Sequence, residues 1–228
     1  IRNAARTHQP YLQGFRGVLL ATEICVMVTG FTYLGLVESL AIFSSYTLIV
    51  AAMSGPILGE IVGWRRWMAI FAGLCGVLII LKPGMGVFSV YAIIPLIAAS
   101  MFALYSLLTR YVARQDSTAT SFFWTGVTGC IVMTFVGMFH LEDMIPADWL
   151  LMLCLCFTGA TGHWLLIRCY EVAEASAVQP FTYLQLVFGA AIGVMVFGEV
   201  IETNVAVGAV LVVAAGLFTL WRARVSVT

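Results

Sequence analysis

The chain has 228 residues, of which 62% are hydrophobic and 10% charged, and its mean hydropathy is +1.03. Soluble domains carry about 25% charged residues, so this composition excludes a water-soluble fold. Lys plus Arg balance Asp plus Glu at 11 each, and nothing indicates nucleic-acid binding.

Eight apolar segments, most of them close to the length that crosses a bilayer, are predicted to form transmembrane helices. The connections between them are short, so the predicted fold class is an all-α membrane protein, a polytopic helical bundle without a soluble domain. Residues Ile1–Arg16 read as a polar cytoplasmic loop ahead of the first helix. The predicted spans, in chain order, are Gly17–Leu36, Ser39–Leu58, Trp67–Leu81, Val87–Thr109, Ala119–Phe139, Asp148–Arg168, Ala175–Phe197 and Asn204–Trp221.

The positive charges predict an orientation for these spans. With Ile1–Arg16 in the cytoplasm, ten of the eleven Lys and Arg residues fall inside and Lys82 alone falls outside. Such an excess of positive charge marks the cytoplasmic side of a membrane protein. Glu199 and Glu202 then fall outside, and the C-terminus lies in the cytoplasm.

Cysteine and histidine do not form the patterns that hold metals or redox groups. The six cysteines lie within or beside apolar segments and include no CxxC pair, which favours helix packing over disulfides or metal ligands. The three histidines are far apart and match no zinc motif. HExxH and GxSxG motifs are also absent. The sequence therefore predicts no metal, no cofactor and no enzymatic activity.

The two halves of the sequence contain similar segments. Leu36–Ile42 precedes a span that ends in Gly59-Glu60, and Val172–Val178 precedes a span that ends in Gly198-Glu199. On the charge-derived topology the first Gly-Glu pair lies inside and the second outside. Opposite orientation of matching segments indicates an inverted-topology repeat, a common plan for secondary transporters.

The predicted repeat is unequal, since three spans precede the junction at Lys82–Gly84 and five follow it. Two matching halves would need two more helices before Ile1, and the chain does not begin with methionine. The sequence thus predicts a parent of ten helices. Residues 17–84 would be the last three helices of the first repeat, and residues 85–228 the complete second repeat.

These features resemble the EamA type of the drug/metabolite transporter superfamily over essentially the whole chain. The resemblance rests on short motifs in both halves that are fairly specific for the family when taken together. In the first half they are Glu38–Ile42, Leu58–Glu60, Val62–Trp67 and Gly76–Gly84; in the second half they are Glu174–Val178, Gln179–Gln185 and Phe197–Glu199.

The resemblance implies ten helices in two inverted five-helix repeats, with both termini in the cytoplasm. It also implies a central cavity, lined by the first four helices of each repeat, that moves small metabolites such as amino acids, vitamins, nucleotide-related metabolites or toxic compounds. One departure concerns the span Ser39–Leu58. Many members carry a proline midway along this helix, where this chain has Tyr46 and Thr47, so the sequence lacks the residue that would supply a hinge there.

Glu23 is the most informative single residue of the sequence. It lies seven positions after Arg16, which is about 10 Å along a helix axis and within the cytoplasmic half of the hydrocarbon. A charge there costs about 2.5–3.5 kcal/mol on insertion scales, and such residues usually face a polar interior. We interpret Glu23 as a proton-coupling or substrate-cation site. The alternative is a carboxyl group that is protonated or hydrogen-bonded, for example to Thr22, without a role in transport.

His163 occupies a position in the second repeat that is one helical turn away from the position equivalent to Glu23. Both residues are predicted to lie in the cytoplasmic half of the membrane. Because imidazole titrates near physiological pH, a Glu23–His163 pair lining one cavity is a hypothesis for proton coupling. The alternative, which the sequence slightly favours, is a single histidine packed with Trp164.

Five further residues are candidate substrate-binding residues. Tyr183 and Gln185 lie near the middle of the seventh span, and Gln185 is expected to point inward because an amide is unfavourable against lipid. They could equally bind substrate or join helices. Tyr46, Tyr105 and Trp124 could stack on a planar or cationic substrate, although packing is the commoner role of aromatic residues in membrane bundles.

The function predicted from these features is a secondary transporter. It would move a small amphipathic or zwitterionic metabolite across the bacterial inner membrane by alternating access, with coupling to protons as an open alternative. A membrane channel or a structural membrane protein without carrier activity is the competing interpretation. The lipid bilayer is a predicted partner, and the sequence indicates no oligomeric state.

Overall fold

The computed structural model describes residues 4–59, 63–81, 90–140 and 144–225. All regular secondary structure within these ranges is helical, which confirms the predicted all-α class. A short 3-10 turn, Val90–Ala92, precedes the fifth α-helix. The α-helices are α1 (Pro10–Leu34), α2 (Leu36–Phe43), α3 (Tyr46–Leu58), α4 (Trp64–Leu81), α5 (Ile93–Val112), α6 (Thr118–Gly137), α7 (Pro146–Val172), α8 (Ala175–Phe197) and α9 (Thr203–Val225).

These helices account for the predicted membrane spans. Five stretches among the described residues are long and apolar enough to cross a bilayer, and three shorter apolar stretches lie within α4, α8 and α9. The chain is therefore an integral membrane protein. The long stretches are Pro10–Leu34, Leu36–Leu58, Val90–Val112, Thr118–Gly137 and Pro146–Val172.

Helix α1 begins at Pro10, seven residues before the predicted start at Gly17. The prediction of a loop over Ile1–Arg16 is therefore wrong from Pro10 onward. Proline suits the first position of a helix, where no amide donor is required. Gln13 and Arg16, two polar residues of this stretch, are both buried and hydrogen-bonded inside the protein.

The span predicted as one helix, Ser39–Leu58, is interrupted in the structure at Ser44 and Ser45. The amide of Ser45 donates to the carbonyl of Ile42 at 3.1 Å, and the amide of Leu48 donates to the carbonyl of Ser45 at 3.0 Å. The Ser44 hydroxyl also donates to the carbonyl of Ala41 at 2.6 Å. Serine hydroxyls compete with the helical ladder in this way, and the tighter bonds are those of a 3-10 turn. The helix is thus interrupted here without a proline.

The two glycines of the repeated Gly-Glu motif have the same conformation. Gly59 follows α3 with a φ of 74°, and Gly198 follows α8 with a φ of 66°. Left-handed backbone at this position ends a helix and favours glycine. Glu60 lies outside the described residues, as does the predicted junction at Lys82–Gly84. The inverted symmetry of the two halves stays a prediction.

The chain forms two compact units. Unit 1 comprises residues 1–22 and 108–173, and it contains the start of α1, the end of α5, and helices α6 and α7. Unit 2 comprises residues 23–107 and 174–228 and contains the remaining helices. These units are defined by contacts, whereas the predicted boundaries at 17–84 and 85–228 come from sequence repetition, so the division into repeats also stays a prediction.

Helices α4 and α9 pack closely within unit 2. A Cβ atom added at Gly76 would lie 2.8 Å from the carbonyl oxygen of Gly208 and 3.2 Å from the amide nitrogen of Val212. Beside this crossing, the side-chain amide of Asn204 donates to the carbonyl of Ile80 at 3.2 Å. Glycine at both crossing points lets the two backbones touch, as is common between membrane helices.

Gly76→Ala is therefore expected to destabilise the protein. The added methyl group would overlap backbone atoms that cannot rotate away, and overpacking of this kind costs about 1–3 kcal/mol. Gly126→Ala on α6 is the matched control, because a Cβ there meets no atom within 4 Å. Alanine is also the better helix former by about 0.5–1 kcal/mol. Thermal unfolding in detergent should show a lower Tm only for the first variant, and equal Tm values would contradict this packing.

Candidate functional site

Two of the predicted site residues lie in one aromatic cluster of unit 2, formed by Phe43, Tyr46, Phe102 and Tyr105. The ring centroids of Tyr46 and Phe102 are 4.8 Å apart in an edge-to-face arrangement, and those of Phe102 and Tyr105 are 5.7 Å apart. Phe43 closes the group at 5.0 Å from Tyr46 and 5.5 Å from Phe102. These distances are those of favourable ring pairs. The cluster lies where α2 and α3 meet, against α5.

Buried hydroxyl groups accompany this aromatic cluster. The hydroxyls of Ser45 and Ser106 are buried and have no hydrogen-bond partner among the described residues. Ser45 immediately precedes Tyr46, and Ser106 lies four residues after Phe102, on the same face of α5. An unpartnered hydroxyl in an apolar interior is unfavourable by about 1–3 kcal/mol. These two hydroxyls are therefore candidates for a hydrogen bond to the polar edge of a ligand.

Glu23 belongs to the same unit and is 3% exposed, so its side chain faces the protein interior rather than lipid. The hydroxyl of its neighbour Thr22 donates to the carbonyl of Val18 at 2.9 Å, and not to Glu23. A buried carboxyl group within a membrane span is typical of transport pathways.

Trp124 and His163 lie in unit 1. The indole nitrogen of Trp124 donates to the carbonyl of Ala5 at 3.3 Å, which ties α6 to the segment before α1. His163 is partly buried on α7, and its neighbour Trp164 packs edge-to-face on Phe122 with centroids 5.3 Å apart. Because Glu23 and His163 belong to different units, the hypothesis that they form a pair stays a prediction.

Gln185, one of the two candidates on α8, makes no described contact with the aromatic cluster. Gln185 is exposed on α8 and is not among the buried residues. The side chain of Tyr183 lies outside the described part of the chain.

A buried arginine in unit 1 was missed by the sequence interpretation, which treated Arg16 only as a topology signal. Its guanidinium is fully buried and donates to the Thr109 hydroxyl at 3.0 Å and to the Thr125 hydroxyl at 2.8 Å. It also donates to the Gln13 side-chain oxygen at 2.8 Å and to the Ser121 carbonyl at 2.7 Å. Arginine suits this position because it offers several donors in a fixed geometry.

Gln13 connects this arginine to Asp116, the residue just before α6. The Gln13 side-chain nitrogen donates to the Asp116 carboxylate at 2.9 Å. The carboxylate also accepts bonds from the Thr7 hydroxyl and, at 3.0 Å, from the His8 amide. The i, i+3 spacing of Gln13 and Arg16 could have indicated a shared helix face, but only if the helix were known to begin at Pro10.

The pKa of the Asp116 carboxyl is lowered in the folded protein. Burial alone would raise it, but the hydrogen bonds from Thr7, Gln13 and the His8 amide, together with the nearby His8, outweigh that effect. Hydrogen bonds to the charged form stabilise it.

A second set of polar side chains forms hydrogen bonds at the end of α7 within unit 1. The guanidinium of Arg110 donates to the carbonyl of Tyr170 at 2.9 Å and, more weakly, to that of Glu171 at 3.4 Å. The Glu171 carboxylate accepts bonds from Thr118 and Arg168. A cation at a helix C-terminus satisfies the last carbonyl groups of the helix.

Ionisable side chains buried in membrane helices are typical of polytopic membrane transporters, and each unit contains one, Arg16 in unit 1 and Glu23 in unit 2. Residues 89–221, more than half of the chain, match the model of the EamA-like transporter family. The chain belongs to this family.

Relatives of known function are similar along nearly the whole chain. An S-adenosylmethionine uptake transporter of Rickettsia prowazekii is 23% identical over 227 residues, which cover 100% of this chain and 77% of that protein. A riboflavin transporter of Vibrio cholerae is 28% identical over 236 residues, which cover 99% and 77%. A pseudopaline exporter of Pseudomonas aeruginosa is 24% identical over 204 residues, which cover 88% and 71%.

These findings confirm that the chain is a secondary transporter for a small metabolite rather than an enzyme. The EamA resemblance drawn from the motifs is confirmed by the same match.

The buried network around Asp116 leads to a prediction about stability and pH. Because the pKa of Asp116 is lowered on folding, the carboxylate stabilises the fold above its ordinary pKa of 3.8, and this stabilisation is lost as the pH falls through the folded value. Asp116→Asn is expected to lower stability at neutral pH by about 1–3 kcal/mol, since hydrogen bonds to a charged acceptor are lost. Thermal unfolding in detergent at several pH values measures this.

The difference in Tm between wild type and Asp116→Asn should shrink as the pH falls below the ordinary pKa. Asp148→Asn is the control, because that carboxylate accepts a bond of 3.3 Å from the amide of Ile145 in an exposed position. It should lower the Tm less than Asp116→Asn. A Tm difference for Asp116→Asn that grows in acid would contradict this account.

Proposed function

We propose that this transporter carries a planar, nitrogen-containing ring metabolite and binds it at the aromatic cluster of Tyr46, Phe102 and Tyr105. The observation that supports this most directly is that Ser45 and Ser106, the chain neighbours of Tyr46 and Tyr105, have buried hydroxyls without a partner among the described residues. Ring faces stack on a planar group, and the hydroxyls hydrogen-bond the polar edge of such a ring.

The relatives support the same substrate class. S-adenosylmethionine contains an adenine ring and a positive charge, and riboflavin contains a fused nitrogen heterocycle. Both offer a flat face with hydrogen-bonding atoms at the edge. A cationic group next to the ring would also interact favourably with tyrosine and phenylalanine faces.

We propose further that transport proceeds by alternating access between two inverted five-helix repeats, of which residues 85–228 form the second, in the bacterial inner membrane. The C-terminus would then be cytoplasmic. Contacts within each unit agree with this topology. Thr7 and Asp116, both predicted inside, are hydrogen-bonded, as are Leu36 and Glu199, both predicted outside. Trp124, His163, Tyr183 and Gln185 stay proposed cavity residues.

Removing either tyrosine ring should weaken substrate binding. In proteoliposomes assayed for uptake of riboflavin or adenosine, Tyr46→Ala and Tyr105→Ala are each expected to raise KM by about tenfold or more. Loss of one ring pair and its buried area accounts for about 1.5–3 kcal/mol. The Phe variants keep the ring and should change KM less.

The exposed pair Tyr33 and Tyr91 is the matched control for these two variants. Its rings stack at 4.4 Å in the same unit, and the described ring contacts do not join this pair to the cluster. Tyr33→Ala should leave KM near the wild-type value. An equal change in KM for all three alanine variants would indicate a general packing effect instead of a binding site.

Glu23 is proposed to couple transport to protons. A proton-driven carrier should accumulate substrate when a pH gradient is imposed, and Glu23→Gln, which holds no exchangeable charge, should abolish that dependence while exchange of substrate continues. Uptake measured against a series of internal and external pH values tests this, with Thr22→Ala as a control on the exposed side of the helix. An unchanged pH dependence in Glu23→Gln would exclude this coupling role.

A channel or a structural protein is the alternative function. Counterflow separates it from a carrier, because unlabelled substrate inside the vesicles accelerates uptake of labelled substrate only when sites are exposed alternately. Absence of counterflow for every ring metabolite that is taken up would favour a channel.

A further inference from the structure

The N-terminus of α2 is capped by a residue from the other half of the sequence. The Glu199 carboxylate, just after α8, accepts bonds from the amides of Leu36 at 2.6 Å and Val37 at 2.8 Å, one on each oxygen. The residue at the capping position of α2 is Gly35, which provides no side-chain cap. The first amides of α2, which have no acceptor within their own helix, are therefore satisfied by Glu199.

Two glycines make room for this contact. Gly35 has a φ of 78°, and a Cβ atom there would lie 2.9 Å from a carboxylate oxygen of Glu199. A Cβ at Gly193 would lie 3.1 Å from the other oxygen. The amide of Glu199 donates to the Gly193 carbonyl at 3.0 Å, which fixes the residue on the end of α8. The absence of a side chain at Gly35 and Gly193 therefore leaves space for the two carboxylate oxygens of Glu199.

Helix α2 has a break at each end. It is 8 residues long, begins after Gly35, whose φ of 78° is positive, and ends at the serine interruption before α3. A helix of this length is not stable by itself, so its position depends on tertiary contacts. Among the described contacts, the two hydrogen bonds to Glu199 join the first turn of α2 to a charged group. We call this pair of hydrogen bonds the Glu199 clamp.

Helix α2 contributes one ring, Phe43, to the aromatic cluster. Phe43 is the last residue of α2, and Tyr46 follows the interruption. Tyr46 is 3% exposed and Tyr105 is 0% exposed, so a ring metabolite cannot reach either face in this conformation. Because Phe43 packs on Tyr46 and Phe102 at 5.0 and 5.5 Å, a movement of α2 would withdraw one ring of the cluster and open space beside the other rings.

We propose that α2 is a movable segment and that Glu199 is the positioning residue that holds it over the substrate site. Release of the Glu199 clamp lets α2 turn about Gly35 and the Ser44–Ser45 interruption, which uncovers Tyr46 and Tyr105. This role rests on the proposed function of the aromatic cluster. Glu199 itself does not touch the substrate.

A neutral side chain should weaken the clamp without removing it. In Glu199→Gln, the new side chain would offer one acceptor oxygen where the carboxylate offers two, and it would lose the attraction of a negative charge for a helix N-terminus. This substitution is expected to raise the population of the released state about tenfold, as for loss of one charge-assisted bond. Glu202→Gln is the matched control, because Glu202 lines the same small pocket but the two α2 amides donate to Glu199.

The first experiment needs no substrate. Ile42→Cys, at a fully buried position of α2, is introduced into a chain whose native cysteines are replaced by serine, and its rate of reaction with a small thiol reagent is measured. Glu199→Gln and Gly35→Ala should each raise this rate by about tenfold, and Glu202→Gln should not. An unchanged rate in both clamp variants would overturn the proposal.

The second experiment measures transport of riboflavin or adenosine by the same variants. Because the wild type must release α2 before it binds, weakening the clamp should lower KM by up to about tenfold, whereas a variant that is merely less stable keeps its KM and loses Vmax. An unchanged or raised KM would overturn the proposal that Glu199 controls entry of substrate to the aromatic cluster, even if the thiol reacts faster. Absence of transport in the wild type would reject the proposed function instead, and the thiol experiment would still decide whether Glu199 holds α2.

Discussion

The structure depends on one constraint, that backbone polar groups at membrane depth must find partners within the protein. Helices satisfy their interior groups, but their ends and interruptions do not. In this chain, side chains hydrogen-bond several of these backbone groups, and some of the side chains come from distant segments. Glu199 satisfies the first amides of α2, and Arg110 satisfies the last carbonyls of α7. Where α2 and α3 meet, Ser44 and Thr47 bond the local backbone.

The same constraint explains why charged residues occur inside a chain of such apolar composition. Arg16 is fully buried because four acceptors surround its guanidinium, and Asp116 is tolerated because three donors surround its carboxylate. Gln13 bonds to both, so the two charges belong to one connected network. Such a network fixes the start of α1 against α5 and α6 within unit 1.

Unit 2 combines close packing with a broken helix. Gly76 and Gly208 bring the backbones of α4 and α9 into contact, which leaves little freedom for movement between them. Helix α2, by contrast, is short and interrupted at both ends, and it adjoins the aromatic cluster. The close α4–α9 packing and the short helix α2 thus lie in different parts of unit 2. Glycine permits the first feature and serine accompanies the interruption after the second.

The amino-acid sequence by itself determined the features whose free energy depends on residues close together in the chain. The length of each apolar segment predicted the spans, the positive charges predicted an orientation, and α8 begins and ends at the predicted residues, Ala175 and Phe197. The Gly-Glu motifs also predicted where α3 and α8 end. Each of these follows from residues close together in the chain, because transfer into lipid and helix termination are local events.

Only the tertiary structure decided which distant residues meet. Arg16 bonds to residues more than ninety positions away, and the Glu199 carboxylate bonds to amides 162 and 163 positions before it. No periodicity within one segment predicts such pairs. The start of α1 at Pro10 and the gathering of Tyr46 with Tyr105 likewise depend on packing partners from other helices. The physical reason is that a polar residue in lipid has to be satisfied, but the sequence does not state by which neighbour.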